Sequence, residues 1–333
     1  MCSIFGLYNF IDFKNEITDY NSKMRHRGPD SCGFKSMKMN NNDLIFAHNR
    51  LSIQDLSLMG NQPMESDNYV IVFNGEIYNH NEIRNDLDKI KFKSTSDTET
   101  ILECFERFGI SKTIEKLNGM FSIGLYDKSN NKLILIRDRI GIKPLFYSIK
   151  DNKFCFSSEL KSIPNFFKDE SDDLGLIQFM SFGYTTGFNT SFKNIKKLPP
   201  SHILEYDGRD ISIKKYWDLS YKNIEIDYRE AVKETHRLIN DSVKLRLLSD
   251  LEVGCFLSGG IDSSLIASIM QKNSSSKINT FSIGFENKKY DESIYAKNVA
   301  NHLNTNHYNY IFKEEDVFNL IDENKSSFDE PFG

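Results

Sequence analysis

Met1-Cys2-Ser3-Ile4-Phe5-Gly6 opens the chain, and how this stretch is read decides what the rest is expected to build. If Met1 were removed, Cys2 would become the amino-terminal residue, and its small side chain makes that removal plausible. One residue would then hold both a nucleophile and a base. A thiol of ordinary pKa about 8.5 would sit beside an α-amine of about 7.7 to 8.0, so the amine could take the thiol proton near neutral pH, through a water. The bland alternative is that Cys2 is only the second residue of a buried strand, and the remainder of the chain has to choose.

Composition narrows the field. At 333 residues with 39% hydrophobic content, the chain can build two cores. A net charge of -5 with 27% charged residues gives no electrostatic argument for nucleic acid or membrane. No apolar run approaches the roughly 20 residues of a membrane span, and the basic-then-apolar layout of a signal peptide is missing, so a cytoplasmic location is expected. Five scattered cysteines, Cys2, Cys32, Cys104, Cys155 and Cys255, lack any Cys-x-x-Cys pair and read as reduced thiols. The histidines form no metal-binding spacing.

Working outward, short β-type runs dominate the first half, at 4–10, 44–47, 69–73, 121–126, 132–137 and 153–157. Helical patterns at 80–90 and 98–108 interrupt them, which predicts a layered α+β domain. Three polar clusters sit where strands would prefer apolar side chains. Arg50-Leu51-Ser52-Ile53-Gln54 offers a guanidinium that could clamp a carboxylate. Asn74-Gly75-Glu76 reads either as a tight turn or as an oxyanion hole, since an Asn amide and a glycine N–H can approach one developing charge together. Ser96-Asp97-Thr98-Glu99 reads as a helix cap with acidic first-turn residues. With Cys2, these clusters suit an amino acid bearing a side-chain amide, with Glu76 and Asp97 for its ammonium. Glutamine is the obvious candidate.

In their order and spacing, these blocks resemble those of the class II glutamine amidotransferases, and among them the glutamine-hydrolysing asparagine synthetase family. Further blocks carry the resemblance: Arg25-His26-Arg27-Gly28-Pro29-Asp30, Gly119-Met120-Phe121, the segment Arg137-Asp138-Arg139-Ile140-Gly141-Ile142-Lys143-Pro144-Leu145, and Ser158-Glu159-Leu160-Lys161. The resemblance implies an N-terminal-nucleophile αββα sandwich, with Cys2 as nucleophile, its freed amine as base, and Asn74 and Gly75 as oxyanion donors. It implies that Arg50, Glu76 and Asp97 grip glutamine and that the backbone of Arg50, Leu51, Ser52, Ile53 and Gln54 lines the site. Gln54 stands where relatives often carry an apolar residue, with little consequence expected if only main-chain groups act there. Arg25 to Arg27 and Arg137 to Lys143 are expected to fix loops rather than catalyse.

The second half changes character. Periodicity weakens between 163 and 228, and Leu198-Pro199-Pro200-Ser201-His202 resembles a family segment that has glycine where Ser201 stands. The expected division is a glutaminase domain over 1–210, a linker over 211–225 and the start of an ATP-pyrophosphatase domain over 226–333. There a predicted buried strand, Leu251 to Leu257, runs into Ser258-Gly259-Gly260-Ile261-Asp262-Ser263-Ser264 and a helix through about Met270. Strand, glycine loop and helix together aim N–H groups at a phosphate. Ser-Gly-Gly-x-Asp-Ser is similar to the pyrophosphate loop of adenylating enzymes, and it matches neither the Walker A nor the dinucleotide fingerprint. Leu257, Ser258, Gly259, Gly260, Asp262, Ser263 and Ile283 are the expected ATP contacts, with Asp262 the carboxylate that would face Mg²⁺. Strands and helices alternating to residue 324 predict a parallel sheet with helices on both faces. Asp291-Glu292 and Asp329-Glu330-Pro331 resemble acidic blocks of the family, or are capping and solvated charge.

The resemblance names glutamine, ATP and aspartate as substrates, and the poor nucleophilicity of ammonium at neutral pH predicts an enclosed passage for ammonia. Another carboxylate acceptor, such as a sugar uronate, is the alternative, and a binding partner without synthesis a third reading. A homodimer is one assembly the resemblance allows. Residues 226–333 fall short of a complete synthetase domain, so the expectation is a fragment of a longer product, or a chain that cannot complete synthesis.

Overall fold

Strand β1 (Ser3–Tyr8) is buried along its whole length because it lies between two layers. The period of two sends Ile4 and Tyr8 to one face and Phe5 and Leu7 to the other, and both faces are covered. The computed structural model describes residues 1–10, 13–88, 90–313, 315–316 and 328–330. They form two compact units, one of residues 1–220 with 328–330, the other within 221–327.

In the first unit β1 is followed by α1 (Phe13–Met24), β2 (Ser31–Met39), β3 (Asn42–Arg50), β4 (Met64–Glu65), β5 (Tyr69–Ile77), α2 (His80–Asn85), α3 (Asp97–Phe108) and α4 (Ile110–Lys116). Then come β6 (Gly119–Asp127), β7 (Lys132–Arg137), β8 (Phe146–Lys150), β9 (Lys153–Ser157), α5 (Asp173–Phe182), β10 (Ile195–Lys197), β11 (His202–Tyr206) and β12 (Ile211–Lys215). Two six-stranded antiparallel sheets result, ordered β10-β8-β9-β1-β3-β2 and β12-β11-β7-β6-β5-β4. Ile4, Phe46 and Phe156 of the first meet Val72, Leu135 and Leu204 of the second in the central core. Tyr20 and Met24 of α1 pack outside the first sheet, and Ile101, Leu102 and Phe105 of α3 outside the second. These are the four layers of an αββα sandwich.

One expectation changes in this unit, and one pair of alternatives is decided. Residues Ile211–Lys215, assigned to the linker, form the edge strand β12 paired with β11; their polar alternation is that of an edge, which buries little. Asn74-Gly75-Glu76 does not turn. It continues β5 opposite Ser122, Phe121 and Met120 of β6.

The second unit holds α6 (Tyr228–Arg246), β13 (Gly254–Phe256), α7 (Ile261–Asn273), β14 (Asn279–Phe285), α8 (Ser293–Leu303) and β15 (Asn306–Phe312). Its parallel sheet, β13-β14-β15, has a single core against α6, α7 and α8. Because the strands are sequential neighbours and such crossovers are right-handed, both connecting helices fall on one face. On the other, Phe281 and Tyr308 stack at 5.2 Å in partial exposure and Ile283 is 57% exposed. Helices on both faces were expected; among the described residues they cover one. The helical pattern expected over 314–324 lies almost wholly outside the described residues. Among them, no helix is long and apolar enough to cross a membrane.

Candidate active site

Cys2 stands just before β1, and its thiol meets Leu51 in the loop after β3: the Leu51 N–H donates to Sγ at 3.3 Å, and the thiol reaches the Leu51 carbonyl at 3.5 Å. Burial raises the thiol pKa, opposed by that N–H and by the nearby amino terminus. Burial also lowers the Met1 amine below its ordinary value, which favours its neutral form. Arg27 fixes the cysteine backbone, donating from Nε to the Cys2 carbonyl at 3.0 Å and from Nη1 to Glu159 at 2.7 Å. Asp30 binds the Ser52 N–H at 2.7 Å, so the Arg-Gly-Pro-Asp block holds the loop that faces Cys2.

Strand β5 supplies the opposite wall. N–H groups two residues apart point the same way along a strand. That of Phe73 reaches Gln62 Oε1 at 2.6 Å and that of Ile77 reaches Asp97 Oδ2 at 2.9 Å, both away from β6. The Gly75 N–H between them faces the same side. A Cβ on Gly75 would lie 2.2 Å from the Met120 carbonyl, so β5 and β6 approach this closely only with glycine here. Asn74 Nδ2 is fully buried and lacks a hydrogen-bond acceptor among the described residues. A developing negative charge would satisfy it.

One small pocket is lined by Cys2, Arg50, Leu51, Ile53, Gln54, Gly75, Glu76 and Asp97, with Gly60, Gln62, Phe73, Ser96 and Thr98 completing it. Burial and the neighbouring Asp97 push Glu76 up to about 8, and burial raises Asp97 as well. Two carboxylates held this way gain most from a cation placed between them. Arg50 is less available than expected. Its Nη1 donates to the Ser57 carbonyl at 2.7 Å and to Asn61 at 2.9 Å, and its Nη2 to the carbonyls of Asp55 and, at 3.4 Å, Gln54.

In the second unit Ser258 to Ser263 link β13 to α7. Gly259 has φ +85°, and a Cβ there would meet Ala296 N at 2.6 Å, so the bend requires glycine. Ser258 and Ser263 hydroxyls bond across it at 3.0 Å. A hollow of about 280 Å³ beside the loop is lined by Leu257, Ser258, Ser263 and Ile283, together with Phe281 and Glu292. Gly259, Gly260 and Asp262 belong to the loop and the first turn of α7 but do not line the hollow.

Residues 1–217 match the family model described as a glutamine amidotransferase domain, and residues 234–333 match the one described as asparagine synthase. The whole chain is 36% identical to a putative glutamine-hydrolysing asparagine synthetase 2 of Methanocaldococcus jannaschii, covering 69% of that protein. The chain belongs to the glutamine-hydrolysing asparagine synthetase family. Asparagine synthetase 1 of Bacillus subtilis is 35% identical over 99% of this chain, and human asparagine synthetase 30% identical over 97%. The chain spans 53% and 58% of these two relatives. A solved structure titled as the allosteric regulatory enzyme of purine biosynthesis aligns with TM-score 0.51 at 11% identity, over 94% of this chain and 80% of that one, which is a likeness of fold alone.

Within this asparagine synthetase family chain, Ser52 and Asn74 stand next to the pocket wall without lining it. Gln62, Ser96 and Thr98 are additions to the sequence reading. Ser96 was visible only as a cap, and it does cap α3, accepting from Thr98 N at 3.1 Å. Gln62 carried no signal, because its role depends on β4 ending after two residues and leaving the Phe73 N–H unpaired. Asp138 accepts from the N–H groups of Phe121, Ile140, Ile142 and Lys143, and Arg137 donates to three carbonyls, so that segment does fix its loop. Ser201 keeps glycine-like geometry at φ 64°, aided by its hydroxyl donating to the Arg139 carbonyl at 2.6 Å. Asp291 caps the start of α8 through the Ser293 N–H at 3.1 Å. Asp329 accepts from Lys161 N at 3.0 Å and Glu330 pairs with Lys197 at 2.8 Å, neither being simply solvated; Pro331 lies outside the described residues.

Proposed function

We propose that the protein is a glutamine-dependent asparagine synthetase, converting ATP, aspartate, glutamine and water to AMP, diphosphate, asparagine and glutamate. Once Met1 is removed, the Cys2 amine takes the thiol proton as sulfur attacks the side-chain amide carbon of glutamine. Asn74 Nδ2 and the Gly75 N–H hold the oxyanion, the amine returns the proton to the leaving ammonia, and water hydrolyses the thioester to glutamate. The α-ammonium pairs with Glu76 and Asp97. Arg50 takes the α-carboxylate, which exchanges for the Gln54 carbonyl, the longest of its present contacts.

At the second site the aspartate β-carboxylate attacks the α-phosphorus of ATP, diphosphate leaves, and ammonia displaces AMP from the β-aspartyl adenylate. The Ser258 to Ser263 loop and the α7 N-terminus would receive phosphate, with Leu257 and Ile283 beside the nucleotide. Asp262, in the first turn of α7, would face a Mg²⁺ ion that arrives on the phosphates, which needs only one or two protein carboxylates and would neutralise phosphate charge.

The observation that carries the glutaminase half is the buried, unpartnered Asn74 amide next to a Gly75 N–H turned toward the Cys2 pocket. Glutamate release by the unaltered protein and none by Cys2→Ala tests that half. Aspartate-dependent release of diphosphate from ATP tests the other; diphosphate release that needs a different carboxylate instead would change the acceptor.

A further inference from the structure

The Gln54 side chain takes part in a contact that a main-chain role does not require. Its Nε2 donates directly to Glu76 Oε2. Gln54 sits in the loop after β3 and Glu76 on β5, so the bond ties together the two walls of the Cys2 pocket, which both residues line. It is the one hydrogen bond to the Glu76 carboxylate found among the described residues.

We propose that Gln54 is a positioning residue for glutamine binding: its side-chain amide favours the carboxylate form of Glu76 over the protonated one and keeps it turned toward the place of the substrate ammonium. This rests on the glutaminase reading above. The charged groups facing Glu76 are Asp97 from the start of α3, Lys143 from the loop after β7, Cys2 and the amino terminus. Burial and Asp97 oppose ionisation of Glu76; the Gln54 donor favours it, with Lys143 and the amino terminus adding to it at longer range. An acceptor for an ammonium has to be a carboxylate at the moment of binding, so removing the one neutral donor removes occupancy of the binding-competent state.

The sign follows. Without the Gln54 amide, Glu76 protonates more readily, glutamine binding weakens most at neutral pH, and the deficit shrinks as pH rises toward 8.5.

The test is steady-state glutamine hydrolysis by the full chain, as KM and kcat separately from pH 6.5 to 8.5, for the unaltered protein, Gln54→Met, Glu76→Gln and the double variant. Methionine keeps the length of glutamine and cannot donate. The expected result is a KM raised about tenfold at pH 7, the scale of one hydrogen bond to a charged group, with kcat within about twofold of the original. The KM ratio should fall with rising pH, and Gln54→Met should add nothing once Glu76 is Gln. Gln54→Leu repeats the test if the methionine variant does not fold. An unchanged KM, a lowered KM, or a pH-independent rise that persists in the Glu76→Gln background would each overturn the proposal. If the unaltered protein releases no glutamate, the glutaminase reading itself fails, which is a different outcome from all of these.

Discussion

Arg27 holds the Cys2 carbonyl at 3.0 Å with Nε while its Nη1 pairs with Glu159 at 2.7 Å, so the residue that carries the nucleophile is anchored through its backbone to a half-hidden ion pair. The Arg27 and Glu159 side chains are 8% and 16% exposed, and removing the guanidinium leaves the Glu159 carboxylate with Lys161 at 3.2 Å and His26 at 3.3 Å while the Cys2 carbonyl loses its donor. Arg27→Ala is expected to destabilise the first unit by about 1 to 3 kcal/mol, the scale of the hydrogen bonds lost, and to lower glutaminase kcat, checked by denaturant melts and glutamate release. Arg27→Lys should recover little, because an ammonium lacks the planar fork that serves both partners.

Asn74→Ala should cut kcat for glutamine hydrolysis by about 10² to 10³ with little change in KM, the signature of a donor used only in the transition state. A loss of less than threefold would remove Asn74 from the oxyanion role. Because its amide has no other partner among the described residues, the variant should fold with near-normal stability, read by its unfolding midpoint.

Ser201 occupies the left-handed region at φ 64°, where most side chains cost about 1 kcal/mol. Ser201→Val should destabilise by roughly 2 kcal/mol, combining β-branching in this region with loss of the bond to Arg139 O. Ser201→Gly should be near neutral, since relief of the backbone offsets the lost hydroxyl. Thermal melts of the two variants check the ordering.

Glu76 and Asp97 both have pKa values raised in the folded state, so the folded protein holds protons that the unfolded chain has released. Stability should therefore be greater near pH 5 and decline as pH rises from the ordinary carboxylate range toward 8. Glu76→Gln should flatten this slope, measured as unfolding midpoint against pH, and added glutamine should offset the decline in the unaltered protein.

Much of this site can be read in the sequence because its residues are local. Cys2 precedes a fully buried, mostly apolar strand, and Leu51 follows the strand that pairs with it. Ser96-Asp97 is both a cap and a pocket wall, so one signal has two uses. What cannot be read depends on partners distant in sequence. Asn74-Gly75 looks like a turn because turn chemistry is local, but β6 holds it as strand, and only the shortness of β4 frees its N–H groups for the pocket. Gln62 becomes a site residue for the same reason. Strand β12 is short and polar at the edge of its sheet, so its pattern merges with that of a linker. The one-sided sheet of the second unit follows from the order of its strands, which alternation of elements alone does not fix.

The intact mass of protein that is actively releasing glutamate from glutamine tests the central claim most directly. A chain lighter by its first methionine, with Cys2 at the amino terminus, is the predicted result. Full activity from a chain that still carries Met1 would contradict it, since the amine that takes the thiol proton would then be bound in a peptide bond.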